Sequence, residues 1–93
     1  MKLYHYPQTR AQSSRWILEE IGLAYELVHV DLANGEQKSP AFLKINPMGG
    51  VPAISCDKYT MFEGVAIVLK LADQYPEKEL APHPTSPERA AYL

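Results

Sequence analysis

The chain has 93 residues, of which 46% are hydrophobic and 22% are charged, proportions typical of one soluble globular domain. The formal net charge of −2 gives no reason to expect nucleic acid or an anionic membrane as a partner. No apolar run approaches the roughly 20 residues that span a bilayer, and "MKLYHYPQ" does not resemble a signal peptide. The single cysteine, Cys56, cannot form an internal disulfide, so we predict a reducing compartment and, by default, the cytoplasm.

The first third of the chain predicts a strand, a helix and a second strand. "KLYHY" (2–6) alternates and is rich in aromatic residues, which predicts a strand. "SSRWILEEIGL" (13–23) places Ile17 and Ile21 four residues apart and ends near Gly22, a common helix stop. "YELVHVDL" (25–32) favours a second strand. A β-α-β unit implies a parallel pair of strands with a right-handed crossover.

The middle of the chain predicts a short helix, a hairpin and a longer helix. After a loop at 33–40, "PAFLKI" (40–45) begins with proline, which suits the first position of a helix. "VPAIS" (51–55) and "YTMF" (59–62) predict two strands joined as a hairpin. The following segment predicts a helix that is ended by Pro76. Its predicted apolar face consists of Val65, Val68, Leu69 and Ala72 and is broadened by Ile67 and Leu71.

The tail differs in character from the rest of the chain. Three prolines between positions 82 and 87 predict a linker, and "SPERAAYL" (86–93) opens like a helix with Ser86 as N-cap and Pro87 in the first position. We therefore expect a domain over 1–76, and over 77–93 a linker with the start of a truncated helical domain. The alternative is a tail that docks on a partner.

The order βαβ followed by ββα predicts an α/β protein with a four-stranded mixed sheet, which is the outline of a thioredoxin-like fold. Within it, "NPMGGVPAI" (46–54) begins with turn residues and then places Pro52 inside an apparent strand. A proline cannot donate to the ladder of a sheet. This raises the question of which molecule uses the backbone groups beside it.

The chain resembles the N-terminal, glutathione-binding domain of the soluble glutathione transferases, in particular the bacterial type. The resemblance covers essentially the whole chain. It is carried by "NPMGGVPAI" (46–54), "EGVAI" (63–67) and "GEQKSPAFL" (35–43), and more loosely by "LEEIGLAYELVHVDL" (18–32). It implies a cis Val51–Pro52 bond before the third strand, which turns the backbone N–H and C=O of Val51 toward an extended peptide. It also implies glutathione as the co-substrate and no metal.

The resemblance further assigns the two ends of glutathione. Lys38, with Gln37 beside it, matches the basic position that holds the glycyl carboxylate. Glu63 matches the acid that binds the γ-glutamyl end, and the N–H of Gly64 would meet the γ-glutamyl carboxylate. Many relatives have serine where this chain has Gly64, so a hydroxyl contact is missing here.

No residue matches the usual thiol activator of the family. The resemblance places the cysteine of bacterial relatives at Arg10 and the hydroxyl of other relatives nearer Thr9. We expect the Thr9 hydroxyl to donate to the thiolate, assisted by the charge of Arg10 and the N–H groups of Arg10 and Ala11, with Ser13 as the second candidate. Lowering the pKa of a thiol by two units takes about 2.7 kcal/mol.

Structural explanations compete with these assignments. Tyr4 and Tyr6 are conceivable thiol-binding phenols, but alternate aromatic residues of a strand usually belong to the core. Ser13 and Ser14 would also serve as helix caps, and Glu63 as a first-turn acid. The three histidines share no metal-ligand spacing, and the chain has no C-x-x-C motif for a thioredoxin mechanism.

Three functions follow from the resemblance. The first is a glutathione transferase, seen here as its glutathione-binding half, in which the bound thiolate attacks a hydrophobic electrophile. A detoxifying enzyme and a homodimer are then expected of the complete protein, with little conjugation by this chain alone. The second is glutathione-dependent reduction of disulfides or peroxides. The third is a binding or dimerisation module without catalysis.

Overall fold

The computed structural model describes all 93 residues and contains one four-stranded sheet flanked by helices. The elements are β1 (Lys2–His5), α1 (Ala11–Ile21), β2 (Glu26–His29), α2 (Pro40–Leu43), β3 (Ala53–Ser55), β4 (Thr60–Phe62), α3 (Gly64–Gln74) and α4 (Arg89–Tyr92). The strand order is β2-β1-β3-β4, in which β1 runs parallel to β2 and antiparallel to β3, and β3 runs antiparallel to β4. The predicted thioredoxin-like βαβ-ββα arrangement is therefore confirmed. None of the helices combines the length and apolar character that crossing a bilayer requires.

Alternate residues of β1 face opposite sides of the sheet, which therefore has two cores. On one side Leu3 packs with α1 and α3. On the other side Tyr4 packs edge-on against Phe42 of α2, with ring centroids 5.8 Å apart. Tyr4 is thus a core residue whose hydroxyl bonds to Ser55 Oγ at 3.3 Å. The larger core contains Leu3, Ile17, Leu18, Ile21, Ile54, Ile67, Leu71 and Ala72.

The ends of the early elements differ from the prediction for local reasons. Helix α1 begins at Ala11, two residues before the predicted start, and ends as predicted with Gly22 in the left-handed region at φ +81°. Strand β2 ends at His29 because the chain turns into a short 3-10 helix at Leu32. Strand β3 begins at Ala53, so Pro52 lies outside the ladder. Helix α2 begins as predicted, with Ser39 Oγ accepting from the N–H of Phe42.

The broad apolar face predicted for α3 is buried only in part. Val65 is 75% exposed, whereas the residues that α3 buries completely include Ile67 and Leu71. These two lie four positions apart and pack with Ile54 in the larger core. Because α3 is apolar around most of its circumference, its periodicity does not distinguish the stripe that meets the sheet from the neighbouring stripes.

The tail docks on α3 of the same chain. Arg89 donates to both carboxylate oxygens of Asp73 at 2.7 Å and to the carbonyl of Pro82 at 2.8 Å. The hydrogen-bonded guanidinium holds the pKa of the Asp73 carboxyl below its usual range. Helix α4 starts at Arg89, not at the predicted Pro87, while Ser86 Oγ accepts from the N–H of Glu88 at 3.2 Å. The division into a domain over 1–76 and a linker with the start of a helical domain over 77–93 remains a prediction.

We expect the stability of the fold to fall at mildly acidic pH through His5. Burial, then the nearby Arg15 and His29, lowers the pKa of His5 from 6.5. The unfolded chain then binds more protons than the native state between the two pKa values. The free energy of unfolding should therefore be fully maintained above pH 6.5 and decline as the pH falls below it.

Urea unfolding between pH 5 and 8 measures this effect, on the original chain and on His5→Gln. The substitution should flatten the pH dependence, whereas His83→Gln, which changes an exposed histidine of the tail, should leave the dependence as it is. An equally steep profile in His5→Gln would show that other groups are responsible.

Candidate functional site

A cleft of about 620 Å³ lies where the start of α1, the loop before β3 and the start of α3 meet. Its lining residues are Thr9, Arg10, Ser13, Asn46, Met48, Gly50, Val51, Pro52, Glu63, Gly64 and Val65. Seven of the nine residues predicted for the site are among them, and the two that are not are Gln37 and Lys38. The cleft therefore collects residues that are more than 50 positions apart in the sequence.

One wall of the cleft carries an unused segment of backbone. The Val51–Pro52 peptide bond is cis, the geometry that the resemblance implies. Neither the N–H nor the C=O of Val51 has a hydrogen-bond partner within the protein, because the ladder between β1 and β3 stops at Ala53. An adjacent donor and acceptor on one residue can pair with an extended peptide as a strand would.

Asn46 holds the loop that leads to this segment. Its side chain is 4% exposed, donates from Nδ2 to the carbonyl of Gly50 at 2.8 Å and accepts from the N–H of Met48 at 2.9 Å. These two bonds close the turn between Pro47 and Gly50, directly before Val51. Sequence reasoning recognised the turn but assigned no role to Asn46, although asparagine commonly bonds to backbone two residues ahead.

A second part of the lining is the beginning of α3. Glu63 precedes the helix with φ +75° and ψ 106°, a backbone conformation that residues other than glycine rarely adopt. Its carboxylate is exposed and has no hydrogen-bond or ion-pair partner in the protein. The first N–H groups of the helix, including that of Gly64, lack intrahelical acceptors, and no side chain caps them.

Gly64 is the point at which the three segments approach each other. A Cβ at this position would lie 3.4 Å from Cγ of Pro52 and 3.9 Å from the carbonyl oxygen of Arg10. The start of α3 is therefore in contact with the proline and close to the start of α1. The N–H groups at the start of α3 attract anions, and Glu63 attracts a cation beside them.

The two hydroxyls predicted to meet a thiolate both donate to the backbone. Thr9 Oγ1 donates to the carbonyl of Tyr6 at 2.6 Å and accepts from the N–H of Ala11 at 3.3 Å. Ser13 Oγ donates to the carbonyl of Arg10 at 3.0 Å. The predicted N–H of Ala11 is engaged as well, so these groups are committed to shaping the start of α1.

Arg10 differs from its neighbours in having unused donors. Its side chain is exposed in the lining of the cleft and takes part in no hydrogen bond, ion pair or aromatic contact. Its backbone N–H has no partner either, although the N–H groups of Gln12 and Ser13 do. Arg10 therefore presents its free donors at the side of the cleft where the hydroxyls are already engaged.

Lys38 and Gln37 lie beside the cleft rather than in its lining. Lys38 Nζ donates to the carbonyl of Met48, a lining residue, at 3.3 Å. Gly49 has φ +67°, and a Cβ there would lie 2.7 Å from Lys38 Nζ and 3.1 Å from the carbonyl oxygen of Gln37. Glycine at this position thus allows Lys38 to lie across the loop. The side-chain Oε1 of Gln37 is buried without a partner.

We expect Gly49→Ala to displace Lys38 from the rim of the cleft. The added methyl group would meet the ammonium group and aliphatic chain of Lys38, and a positive φ costs a residue other than glycine about 1–2 kcal/mol. Urea unfolding should show a loss of that size. Gly35→Ala is the matched control, since Gly35 has φ +77° but no atom within 4 Å of its Cβ position. An equal loss of stability in the two variants would show that Lys38 does not meet the added methyl group.

The remaining chemically active groups lie elsewhere. Cys56 is half-buried in the turn between β3 and β4, where the N–H of Lys58 contributes most to lowering the pKa of its thiol. No group of three or more histidine, cysteine, aspartate or glutamate side chains is placed to hold a metal ion. The cleft is therefore the place where the chain gathers binding groups.

The sheet order, the cis-proline and the cleft beside it define a thioredoxin-like domain. Residues 1–73 match the family described as "Glutathione S-transferase, N-terminal domain". The chain belongs to the glutathione S-transferase family.

Individual relatives agree with this membership. A zeta-class glutathione S-transferase of Euphorbia esula is 41% identical over 83 residues, which are 88% of this chain and 37% of the relative. A glutathione transferase homologue from Sulfitobacter, solved with bound glutathione, is 36% identical with a TM-score of 0.86, over 97% of this chain and 43% of the other. The transferase URE2P8 of Phanerochaete chrysosporium, solved with oxidised glutathione, is 33% identical with a TM-score of 0.89, over 96% and 42% of the two chains. The chain thus spans less than half the length of these relatives.

Proposed function

We propose that this chain is the glutathione-binding part of a glutathione transferase and that glutathione lies in the cleft. The observation that carries the proposal is the unpartnered N–H and C=O of Val51, a residue that lines the cleft together with the start of α3. The similarity to relatives that were solved with glutathione supports it.

The charges around the cleft suit the three charged groups of glutathione. Val51 would pair with the cysteinyl N–H and C=O in the manner of an added strand. Glu63 would take the γ-glutamyl ammonium and the N–H of Gly64 the adjacent carboxylate. Lys38 would hold the glycyl carboxylate at the rim, with Gln37 behind it. Pro52 would form the wall between the two ends.

The proposed reaction is attack by the thiolate on an electrophilic carbon. The thiol loses its proton to solvent, the sulfur forms a bond to the carbon, and a leaving group departs with the electron pair of the broken bond. Val65 and Met48 are 75% and 68% exposed in the lining and offer apolar surface to a hydrophobic electrophile.

The properties of the complete protein are part of the same proposal. We infer a domain over 1–76, a linker and the start of a helical domain over 77–93, and a cytoplasmic, homodimeric enzyme with a role in detoxification. Several large apolar residues stay exposed, among them Trp16 and Val65. Their exposure supports a further domain or subunit that covers them in the complete protein.

A second candidate is glutathione-dependent reduction of disulfides or peroxides. The commitment of the Thr9 and Ser13 hydroxyls favours it, because neither is then free to act as the hydroxyl activator of a transferase. Conjugation of an aryl halide and reduction of a disulfide should be assayed side by side on a complete version of the protein. Conjugation without reduction would eliminate this candidate. The third candidate, a binding module without catalysis, predicts a bound thiol whose pKa is that of free glutathione.

The test of glutathione binding is a titration of the ¹⁵N-labelled 93-residue chain followed by NMR. We expect the amide signals of Val51, Glu63 and Gly64 to shift together and to saturate. The signals of Lys58 and Tyr59, in the turn between β3 and β4, are the internal control and should stay in place. Unchanged signals at all three cleft residues would refute the proposal.

A further inference from the structure

We infer that Arg10 is the residue that stabilises the glutathione thiolate, and that the Thr9 and Ser13 hydroxyls serve only to shape the start of α1. This inference rests on the proposed function, because it concerns the thiol of glutathione bound in the cleft. The group that lowers the pKa of the thiol is then a permanent positive charge and not a hydroxyl donor.

The hydroxyls of Thr9 and Ser13 have no proton left to donate to a thiolate. A serine or threonine hydroxyl has one proton to donate. That of Thr9 is donated to the carbonyl of Tyr6 at 2.6 Å, and that of Ser13 to the carbonyl of Arg10 at 3.0 Å. Either hydroxyl would have to give up a backbone bond before it could donate to a sulfur atom. Turning the Thr9 hydroxyl away would leave the carbonyl of Tyr6 without a partner. The carbonyl of Arg10 would keep the N–H of Ser13 at 3.3 Å, so this cost is larger for Thr9 than for Ser13.

The hydrogen-bond donors of Arg10, by contrast, are not engaged within the protein. A guanidinium has five N–H donors and stays protonated at every pH at which a thiol titrates. None of the five is engaged within the protein, although the carboxylate of Glu63 lines the same cleft. The backbone N–H of Arg10 is unpaired too. The start of α1 thus offers one charged side chain and one backbone donor, both free.

The pKa shift that one nearby charge produces is as large as the shift that the thiol needs. An opposite charge within about 4–6 Å lowers the pKa of an acid by roughly 1–3 units. A free thiol with a pKa near 8.5 needs a reduction of about two units to be mostly ionised near neutral pH. One guanidinium at that distance from the sulfur is sufficient for this, and its effect is weakened by salt, because it acts through charge in a cleft open to solvent.

The experiment measures the pKa of the bound thiol from the ultraviolet absorbance of its thiolate against pH, with the chain saturated by glutathione. We expect Arg10→Gln to raise this pKa by about one unit or more, and Arg10→Lys to restore most of the difference. Ser13→Ala should leave it nearly unchanged. Added salt should raise the pKa in the original chain and have less effect on Arg10→Gln.

Binding of S-methylglutathione, which has no ionisable thiol, distinguishes the proposed glutathione binding from the proposed role of Arg10. Failure of the original chain to bind it would refute the proposed function itself. If it binds to the original chain and to Arg10→Gln alike, and the two chains give the same thiol pKa with glutathione, the function stands and the role of Arg10 is refuted. A rise in the pKa with Ser13→Ala but not with Arg10→Gln would overturn the inference in favour of the hydroxyl.

Discussion

Glu63→Gly should make the fold more stable and glutathione binding weaker. Glu63 adopts φ +75° and ψ 106°, a conformation that costs a residue with a side chain roughly 1–3 kcal/mol and that glycine adopts freely. Its carboxylate is the proposed partner of the γ-glutamyl ammonium. A hydrogen bond between charged groups is worth about 1.5–3 kcal/mol, so affinity should fall roughly ten- to a hundredfold.

Urea unfolding and calorimetric titration with glutathione measure the two effects. Glu79→Gly is the matched control, since Glu79 also has a positive φ, of +53°, but lies after α3 outside the cleft lining. It should stabilise the fold without changing affinity. Glu63→Gln should weaken binding without the gain in stability. Unaltered glutathione affinity in Glu63→Gly would remove Glu63 from the site.

Asn46→Ala should loosen the loop that presents Val51. The substitution removes the bonds to the carbonyl of Gly50 and the N–H of Met48 from a buried position. Loss of two such bonds should lower the free energy of unfolding by roughly 2 kcal/mol. Because Val51 follows this loop directly, glutathione affinity should fall more than tenfold.

The comparison for this substitution is Asn34→Ala, which removes an exposed side chain bonded to Asp31 outside the cleft lining. It should change stability by less than about 0.5 kcal/mol and leave binding as it is. Hydrogen exchange at Met48 and Gly49, whose N–H groups bond to Asn46, reports on the loop itself and should accelerate only in Asn46→Ala. Equal exchange in the two variants would contradict the role assigned to Asn46.

The order of elements could be predicted because the relevant signals are local. The alternation in β1, Gly22 after α1 and Pro40 at the start of α2 each depend on a few adjacent residues, and each appears as predicted. The buried stripe of α3 could not be predicted, because Val65 and Ile67 are equally apolar and only contact with the sheet separates them.

Part of the candidate site could also be predicted from the sequence, and part could not. Val51, Pro52, Glu63 and Gly64 belong to short motifs, and the structure brings them to one cleft. The commitment of the Thr9 and Ser13 hydroxyls depends on the path of the backbone between Tyr6 and Arg10, which residue types alone do not specify. The supporting role of Asn46 likewise depends on the folded loop, since asparagine before proline indicates a turn but not its bonding partners.

The decisive property is whether the free peptide group of Val51 completes a two-stranded ladder with its ligand. The direct measurement compares the affinity of glutathione with that of an analogue whose γ-glutamyl-cysteinyl amide is an ester, so that the cysteinyl nitrogen donor is absent and all charges are retained. A tenfold or greater loss, about 1.4 kcal/mol, is predicted, together with a smaller shift of the Val51 amide signal. Equal affinity for the two compounds would mean that the tripeptide is not held by main-chain pairing at this proline.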